Sequence, residues 1–230
     1  MRWLIDFLES SIGRKWLMAL TGIGWVLYLV LHMVGNLQIF AGPDGINGWA
    51  ANLRTMPGLL WTVRGLLVLG IVLHVFMAIR TTAKNRAARP TKYVKRRYLR
   101  TSPAARTMIY SGLIIFAFIC YHLAQFTLHW TNPEYKHMHD VLGRHDVYSM
   151  VVMGFSNHGI AALYIIAVGL VCMHLFHGVP SFFQTLGLRH PKYTPLLNFL
   201  GIGLALVLFV GFSAVPVSVM AHWIKPLGGM

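Results

Sequence analysis

Residues 16–43 read WLMALTGIGWVLYLVLHMVGNLQIFAGP, an unbroken run of uncharged side chains between Lys15 and Asp44. A helix needs about 20 apolar residues to cross roughly 30 Å of bilayer hydrocarbon, so this stretch is long enough to span a membrane. Its one histidine, His32, then demands a partner, because an unpaired polar group in hydrocarbon is expensive.

Composition outside this stretch agrees. Of 230 residues 56% are hydrophobic and only 11% are charged, with mean hydropathy +0.59. A soluble domain carries about 25% charged residues. All six acidic residues (Asp6, Glu9, Asp44, Glu134, Asp140, Asp146) fall outside the strongly apolar runs. Cys120 and Cys172 fall inside such runs, which points to apolar packing and not to a disulfide framework. No CxxC or CxxCH is present, which argues against thiolate zinc and covalent haem attachment.

Five spans are predicted, at roughly 16–39, 59–79, 107–129, 152–177 and 196–219, in one all-α membrane domain covering 1–230. The fourth is expected to end where Gly178-Val179-Pro180-Ser181 interrupts a longer apolar run, and Pro216 lies near the end of the fifth. Before them MRWLIDFLES reads as an interfacial lead-in, with Trp3, Leu4, Phe7 and Leu8 toward lipid and Asp6, Glu9 and Ser10 toward water.

An odd number of spans puts the termini on opposite sides. The side shared by the N-terminus and the loops II–III and IV–V holds all of the 20 Lys and Arg residues except Arg54, Arg64, Lys136, Arg144 and Lys225. That asymmetry makes this side, and the N-terminus, cytoplasmic. It also accounts for the net charge of +14 without nucleic acid, since most of the charge sits in the loop 81–106. That loop satisfies anionic lipid headgroups or docks an extrinsic partner. Inspection gives no internal repeat, because the sequences around the histidines do not otherwise match.

Depth sorts the histidines. Spans I and III ascend from the cytoplasm, with His32 17 residues beyond Lys15 and His122 16 beyond Arg106. Spans II and IV descend, with His74 6 residues before Arg80 and His174 6 before Pro180. Two imidazoles therefore share an outer level and two an inner one, about 15 Å apart at 1.5 Å per residue. Bis-imidazole haem ligation requires such pairs, with one nitrogen on each face of the iron. The pairing expected is His32 with His122 and His74 with His174, the alternative being histidines that merely hydrogen-bond across a bundle. His177, one turn past His174, competes with it as ligand.

The second ring nitrogen of each ligand needs its own acceptor, such as a backbone carbonyl one turn earlier or a neighbouring side chain. Tyr28, four residues before His32, is on the same face. Gly24, Gly35, Gly70, Gly169 and Gly178 permit either a close porphyrin or close helix packing. Arg64 lies 16 residues before Arg80, level with His32 and His122. It reads as a partner for haem propionates or as a snorkelling cation. His129 and His158 could line a haem edge or a quinone pocket. The exposed cluster His137, His139, Asp140 and His145 superficially resembles a metal site without a defined ligand spacing.

Taken together, LHMVGNLQIF in span I, LHVFMAIRTTAKNRAARPTKY after span II, SGLIIFAFICYHL in span III and NHGIAALYIIAVGLVCMHLFHGVPSFFQTLGLRHPKY resemble the cytochrome b558 membrane subunit of succinate dehydrogenase and fumarate reductase. The resemblance is to the single-chain, five-helix, dihaem type and covers about residues 10–220. It implies a five-helix bundle enclosing two stacked b-type haems, in the cytoplasmic (inner) membrane. It implies His32 and His122 on the distal haem, His74 and His174 on the proximal one, and electron transfer to menaquinone or ubiquinone. The implied partners, a flavoprotein and an iron–sulfur subunit, sit on the cytoplasmic side over the loop 81–106. Association into a higher oligomer stays open.

Some relatives carry glutamates in the bundle, one of them two residues before the fourth-helix ligand. Here that position is Cys172 and no span holds Asp or Glu, which argues against a carboxylate proton relay. Ser181 and Gln184 are candidates for a quinone site at the inner face, with helix-end hydrogen bonding as the alternative. Two rival functions remain at this stage: a dihaem anchor for another quinone-linked dehydrogenase, and a haem-free transporter or structural bundle.

Overall fold

The computed structural model describes residues 2–88 and 103–226. Arg89, Lys92, Lys95, Arg96, Arg97 and Arg100 lie outside the described residues, and with them most of the basic loop. The chain forms α1 (Arg2–Glu9), α2 (Ser11–Leu37) continued by a 3-10 turn (Gln38–Ala41), α3 (Pro43–Arg54), α4 (Pro57–Ala87) and α5 (Pro103–Phe126). A second 3-10 turn (Pro133–His137), α6 (Val147–Ser156), α7 (His158–Thr185) and α8 (Thr194–Met220) follow.

α2, α4, α5, α7 and α8 are long and apolar enough to cross a membrane. The most apolar windows of α4 and α5 are only 6% buried. Apolar surface on that scale is an aggregation hazard in water and the ordinary exterior of a helix in lipid. The fold is an all-α, five-span membrane fold. The N-terminal lead-in is helical, with Trp3, Ile5 and Phe7 exposed. Ser10 separates it from α2, its Oγ donating to the Phe7 carbonyl and accepting the Gly13 N–H.

Two expectations need correction. The predicted span 152–177 is not one helix. α6 ends at Ser156, and Asn157 starts α7 by accepting the Gly159 and Ile160 N–H groups at 3.0 and 3.2 Å. α7 then runs through Pro180 to Thr185 instead of stopping at Gly178. Pro180 leaves the Phe176 carbonyl without its helical donor, and the helix continues through it; one residue on, the Ser181 hydroxyl donates to the His177 carbonyl at 2.8 Å. The stretches 43–54 and 147–156, taken as loop or span end, are helices with their own start signals. Pro43 opens α3 with Asp44 in its first turn, and the Asp146 carboxylate accepts the Ser149 N–H to cap α6.

Contacts group the chain into two compact units that run through the same helices. One comprises Met1–Leu27, Gly65–Leu113 and Met173–Ala205; the other comprises Tyr28–Arg64, Ile114–Cys172 and Leu206–Met230. The first contains His74 and His174. Within it Pro180 packs on Gly201, where an added Cβ would sit 3.3 Å from the proline Cδ.

The second unit contains His32 and His122, and its core joins Ile39, Ile46, Tyr148, Val152, Phe155, Tyr164, Val215 and Val219. Asn47, fully buried, ties α3 to α6. Its amide nitrogen donates to Asp146 at 3.1 Å and its oxygen accepts the Tyr148 N–H at 2.9 Å. Arg144 bridges Asp44 and Asp140, both at 2.6 Å.

Candidate functional site

In the first unit the rings of His74 and His174 face each other with centres 6.4 Å apart and planes at 56°. In the second, His32 and His122 are 5.8 Å apart at 81°. A metal–imidazole bond of about 2.0–2.1 Å on each side, with about 1.1 Å from nitrogen to ring centre, separates two axial rings by roughly 6.3 Å. Both pairs are within about half an ångström of that spacing. Bis-imidazole haem therefore fits the donors present.

The hydrogen bonds orient three of the four rings. His74 Nδ1 lies 3.0 Å from the Met18 carbonyl oxygen and 3.2 Å from Thr21 Oγ1. A carbonyl only accepts, so Nδ1 carries the hydrogen and Nε2 keeps its lone pair. Thr21 already donates to the Leu17 carbonyl at 2.7 Å, which leaves its oxygen as a second acceptor. His174 Nδ1 meets Ser111 Oγ at 3.2 Å, and Ser111 donates to the Met108 carbonyl at 3.1 Å. His122 Nδ1 meets the Tyr164 hydroxyl at 3.4 Å, and Tyr164 donates to Gln125 Oε1 at 2.9 Å. Each hydroxyl has committed its own proton elsewhere. The Met18 carbonyl thus holds His74 as the tautomer whose free lone pair is on Nε2, the form a metal-ligating histidine takes, and the Ser111 and Tyr164 oxygens stand where they can accept from Nδ1 of His174 and His122 in the same form.

His32 is held differently. Tyr28 stacks on it at 5.3 Å with planes 12° apart, and Asn36 Nδ2 stands 3.5 Å from its Nε2, at the limit of a hydrogen bond. Of the two acceptors expected from sequence, a carbonyl one turn earlier or a neighbouring side chain, His74 has the side chain, Thr21, together with a carbonyl from a facing helix, Met18.

His177 is turned to Ser181, with Nε2 3.2 Å from the hydroxyl, and takes no part in the His74 contact. Ser181 and Gln184 are both engaged within the chain, Gln184 accepting from Arg189 at 2.7 Å. Arg64 places its guanidinium over the Trp61 ring at 5.1 Å and makes no ion pair among the described residues. It lies near enough to Tyr28 to interact electrostatically with it. His158 opens α7, while His129 packs against His145 at 5.5 Å.

A search of family profiles, curated proteins and solved structures returns no match to this chain. What the chain does must be argued from its own residues.

Two further glycines, not singled out in the sequence, meet imidazole. An added Cβ on Gly22 or on Gly112 would stand 3.4 Å from Cε1 of His74 and of His174 respectively. Gly35, Gly70 and Gly169 face Trp49, Trp25 and Phe209, and Gly24 and Gly178 meet nothing.

These contacts expose a repeat that inspection of the sequence missed. Residues 18–32, MALTGIGWVLYLVLH, and 108–122, MIYSGLIIFAFICYH, share Met, a hydroxyl residue, Gly and His at matched positions. Each also has an aromatic residue four positions before the histidine. In both, the hydroxyl and the glycine cradle the histidine of the following span. That histidine lies ten residues after Arg64 in one copy and ten after Tyr164 in the other.

Among the described residues no three His, Cys, Asp or Glu side chains converge on one point. The loop residues His137, His139, Asp140 and His145 are not gathered into such a group. Asp140 accepts from the Arg144 side chain and from the Leu142 and Arg144 N–H groups. Burial alone would raise its carboxyl, but these bonds outweigh it and hold the group below the usual carboxylate range. His145 and His129 are pushed down, first by burial and then by nearby cations including Arg54.

Proposed function

We propose that the chain is a dihaem cytochrome b membrane subunit, the anchor of a succinate:quinone oxidoreductase in the cytoplasmic membrane. The observation that carries the haem part is the pairing of four imidazoles in two sets, 5.8 and 6.4 Å apart, with an oxygen beside Nδ1 of three of them. The succinate and quinone parts rest on the sequence resemblance, with a flavoprotein and an iron–sulfur subunit on the cytoplasmic side.

His74 and His174 would hold one haem and His32 and His122 the other. Bound there, haem supplies a one-electron redox centre whose potential the protein tunes. Met18, Thr21 and Ser111 orient the first ligand pair and raise its basicity by accepting from Nδ1. Tyr28 lies flat against His32 and restricts its ring rotation. Arg64 is the cation available to haem propionates, since the spans contain no acidic side chain. Apolar helix surfaces keep bulk water from the ligands and leave proton handling to quinone, histidine, tyrosine and propionate groups.

The test is a redox-titrated optical spectrum of the purified chain with its co-purifying subunits. Two b-type haems per chain, together with a flavoprotein and an iron–sulfur protein, are expected. Absence of Soret and α bands would reject the haem assignment. Two haems with different soluble partners would reject the succinate assignment alone.

A further inference from the structure

The repeat is broken where it matters for one ligand. Positions ten residues before the second histidine of each copy are Arg64 and Tyr164, and positions three residues after the first are Gly35 and Gln125. Only His122 therefore has a phenol and an amide behind it. Tyr164 is 6% exposed and Gln125 is fully buried. The Gln125 oxygen can only accept, so the phenol proton points at it and the phenol lone pairs are left for the Nδ1 hydrogen of His122. Among the described residues no phenol–amide pair stands at Nδ1 of His32, which stacks on Tyr28 and lies beside Phe212 and the Asn36 amide.

Aromatic packing is the plainer account of Tyr164, which lies within ring-contact distance of Phe118, Phe126 and Phe155. Packing alone does not call for a hydroxyl aligned between an imidazole nitrogen and a fully buried amide oxygen. A buried phenol without that acceptor would itself be destabilising.

We propose that Tyr164, aligned by Gln125, is the positioning residue for His122, and that it lowers the potential of the haem held by His32 and His122. The inference rests on the dihaem reading. An acceptor on Nδ1 makes an imidazole a stronger electron donor to iron, which favours the oxidised metal. Removing the acceptor should therefore raise the midpoint potential of that haem and leave the other alone.

The experiment is an optical redox titration of membranes carrying the full chain with its partner subunits. His32→Ala identifies which haem signal belongs to the His32/His122 site. Tyr164→Phe keeps the ring and deletes the acceptor. It should increase the reduced-to-oxidised ratio of that haem at fixed potential by roughly threefold to tenfold, or about 28–59 mV at about 59 mV per decade for one electron. Ser111→Ala should shift only the other haem.

Gln125→Leu decides the matter should Tyr164→Phe fail to retain haem, because it frees the phenol from its alignment while keeping the residue. It should shift the same haem in the same direction. Two unmoved potentials in a haem-replete Tyr164→Phe or Gln125→Leu protein would overturn the proposal, as would a shift confined to the His74/His174 haem. A wild-type chain without haem would overturn the dihaem reading first, and is seen before any variant is made.

Discussion

His74 Nδ1 stands 3.0 Å from the Met18 carbonyl oxygen, so an imidazole on α4 is fixed as one tautomer by the backbone of α2. The side-chain oxygens of Thr21, Ser111 and Tyr164 repeat that relationship at the other contacts. What His74, His174 and His122 have in common with metal ligands is this arrangement of second hydrogen bonds.

His174 and His177 differ by one turn, and only His174 faces His74. His174→Ala should therefore remove one haem of two, and His177→Ala should retain both. The haem-to-protein ratio from a pyridine haemochrome assay reads the difference. Loss of haem in His177→Ala with full retention in His174→Ala would reverse the ligand assignment.

Gly22 leaves room for the His74 ring edge. An alanine there places its Cβ 3.4 Å from Cε1, an ordinary close contact, so Gly22→Ala should keep both haems. Gly22→Leu adds bulk that the ring must yield to, at a typical overpacking penalty of about 1–3 kcal/mol. It should lower occupancy at the His74/His174 site and spare the other, as measured by the two components of the reduced spectrum. Equal occupancy in Gly22→Leu would show that the glycine has no part in seating the ligand.

The five spans were legible because charge exclusion and length leave few alternatives, and which histidines meet followed from their spacing along the helices. Other features depend on contacts that no local pattern announces. Gly178-Val179-Pro180-Ser181 has the composition of a helix end, yet α7 runs through it with Pro180 packed on Gly201. The helices α3 and α6 carry short polar signals, Pro43-Asp44 and Asp146, that look like loop residues in isolation. The repeat stayed hidden because Thr21/Ser111 and Tyr28/Phe118 are chemically similar but not identical, and most residues between them are apolar with no matching identity. No local pattern singles out Tyr164, and its link to His122 appears only when α5 and α7 are seen together.

Asn47 is the polar centre of the contact between α3 and α6. Asn47→Ala leaves the Tyr148 N–H without its acceptor and takes a donor from Asp146. A buried polar group stripped of its partner typically costs about 1–3 kcal/mol, so the variant should melt earlier in detergent. Asn47→Asp should be worse, because a second carboxylate would face Asp146. An unchanged melting temperature in both would mean that α3 and α6 are held by apolar contacts alone.

His129 and His145, with ring centres 5.5 Å apart, give the segment between α5 and α6 a pH dependence of definite sign. Burial is the largest cause holding each below the ordinary histidine value, followed for His145 by Arg54 and His129 itself, while Lys136 and Arg54 act on His129. The unfolded segment then binds more protons than the folded one at pH values between the depressed and the free values. Stability is fully present above about pH 6.5 and declines as the pH falls below it. Hydrogen exchange at the Trp130 and Asp146 amides, which bond Ala124 and Met138 carbonyls, reports on this segment. Protection corrected for intrinsic exchange should fall between about pH 7 and pH 5, and less so in His145→Gln. Protection that stays constant over that range, or that rises on acidification, would mean the two imidazoles are solvated and not held neutral by the fold.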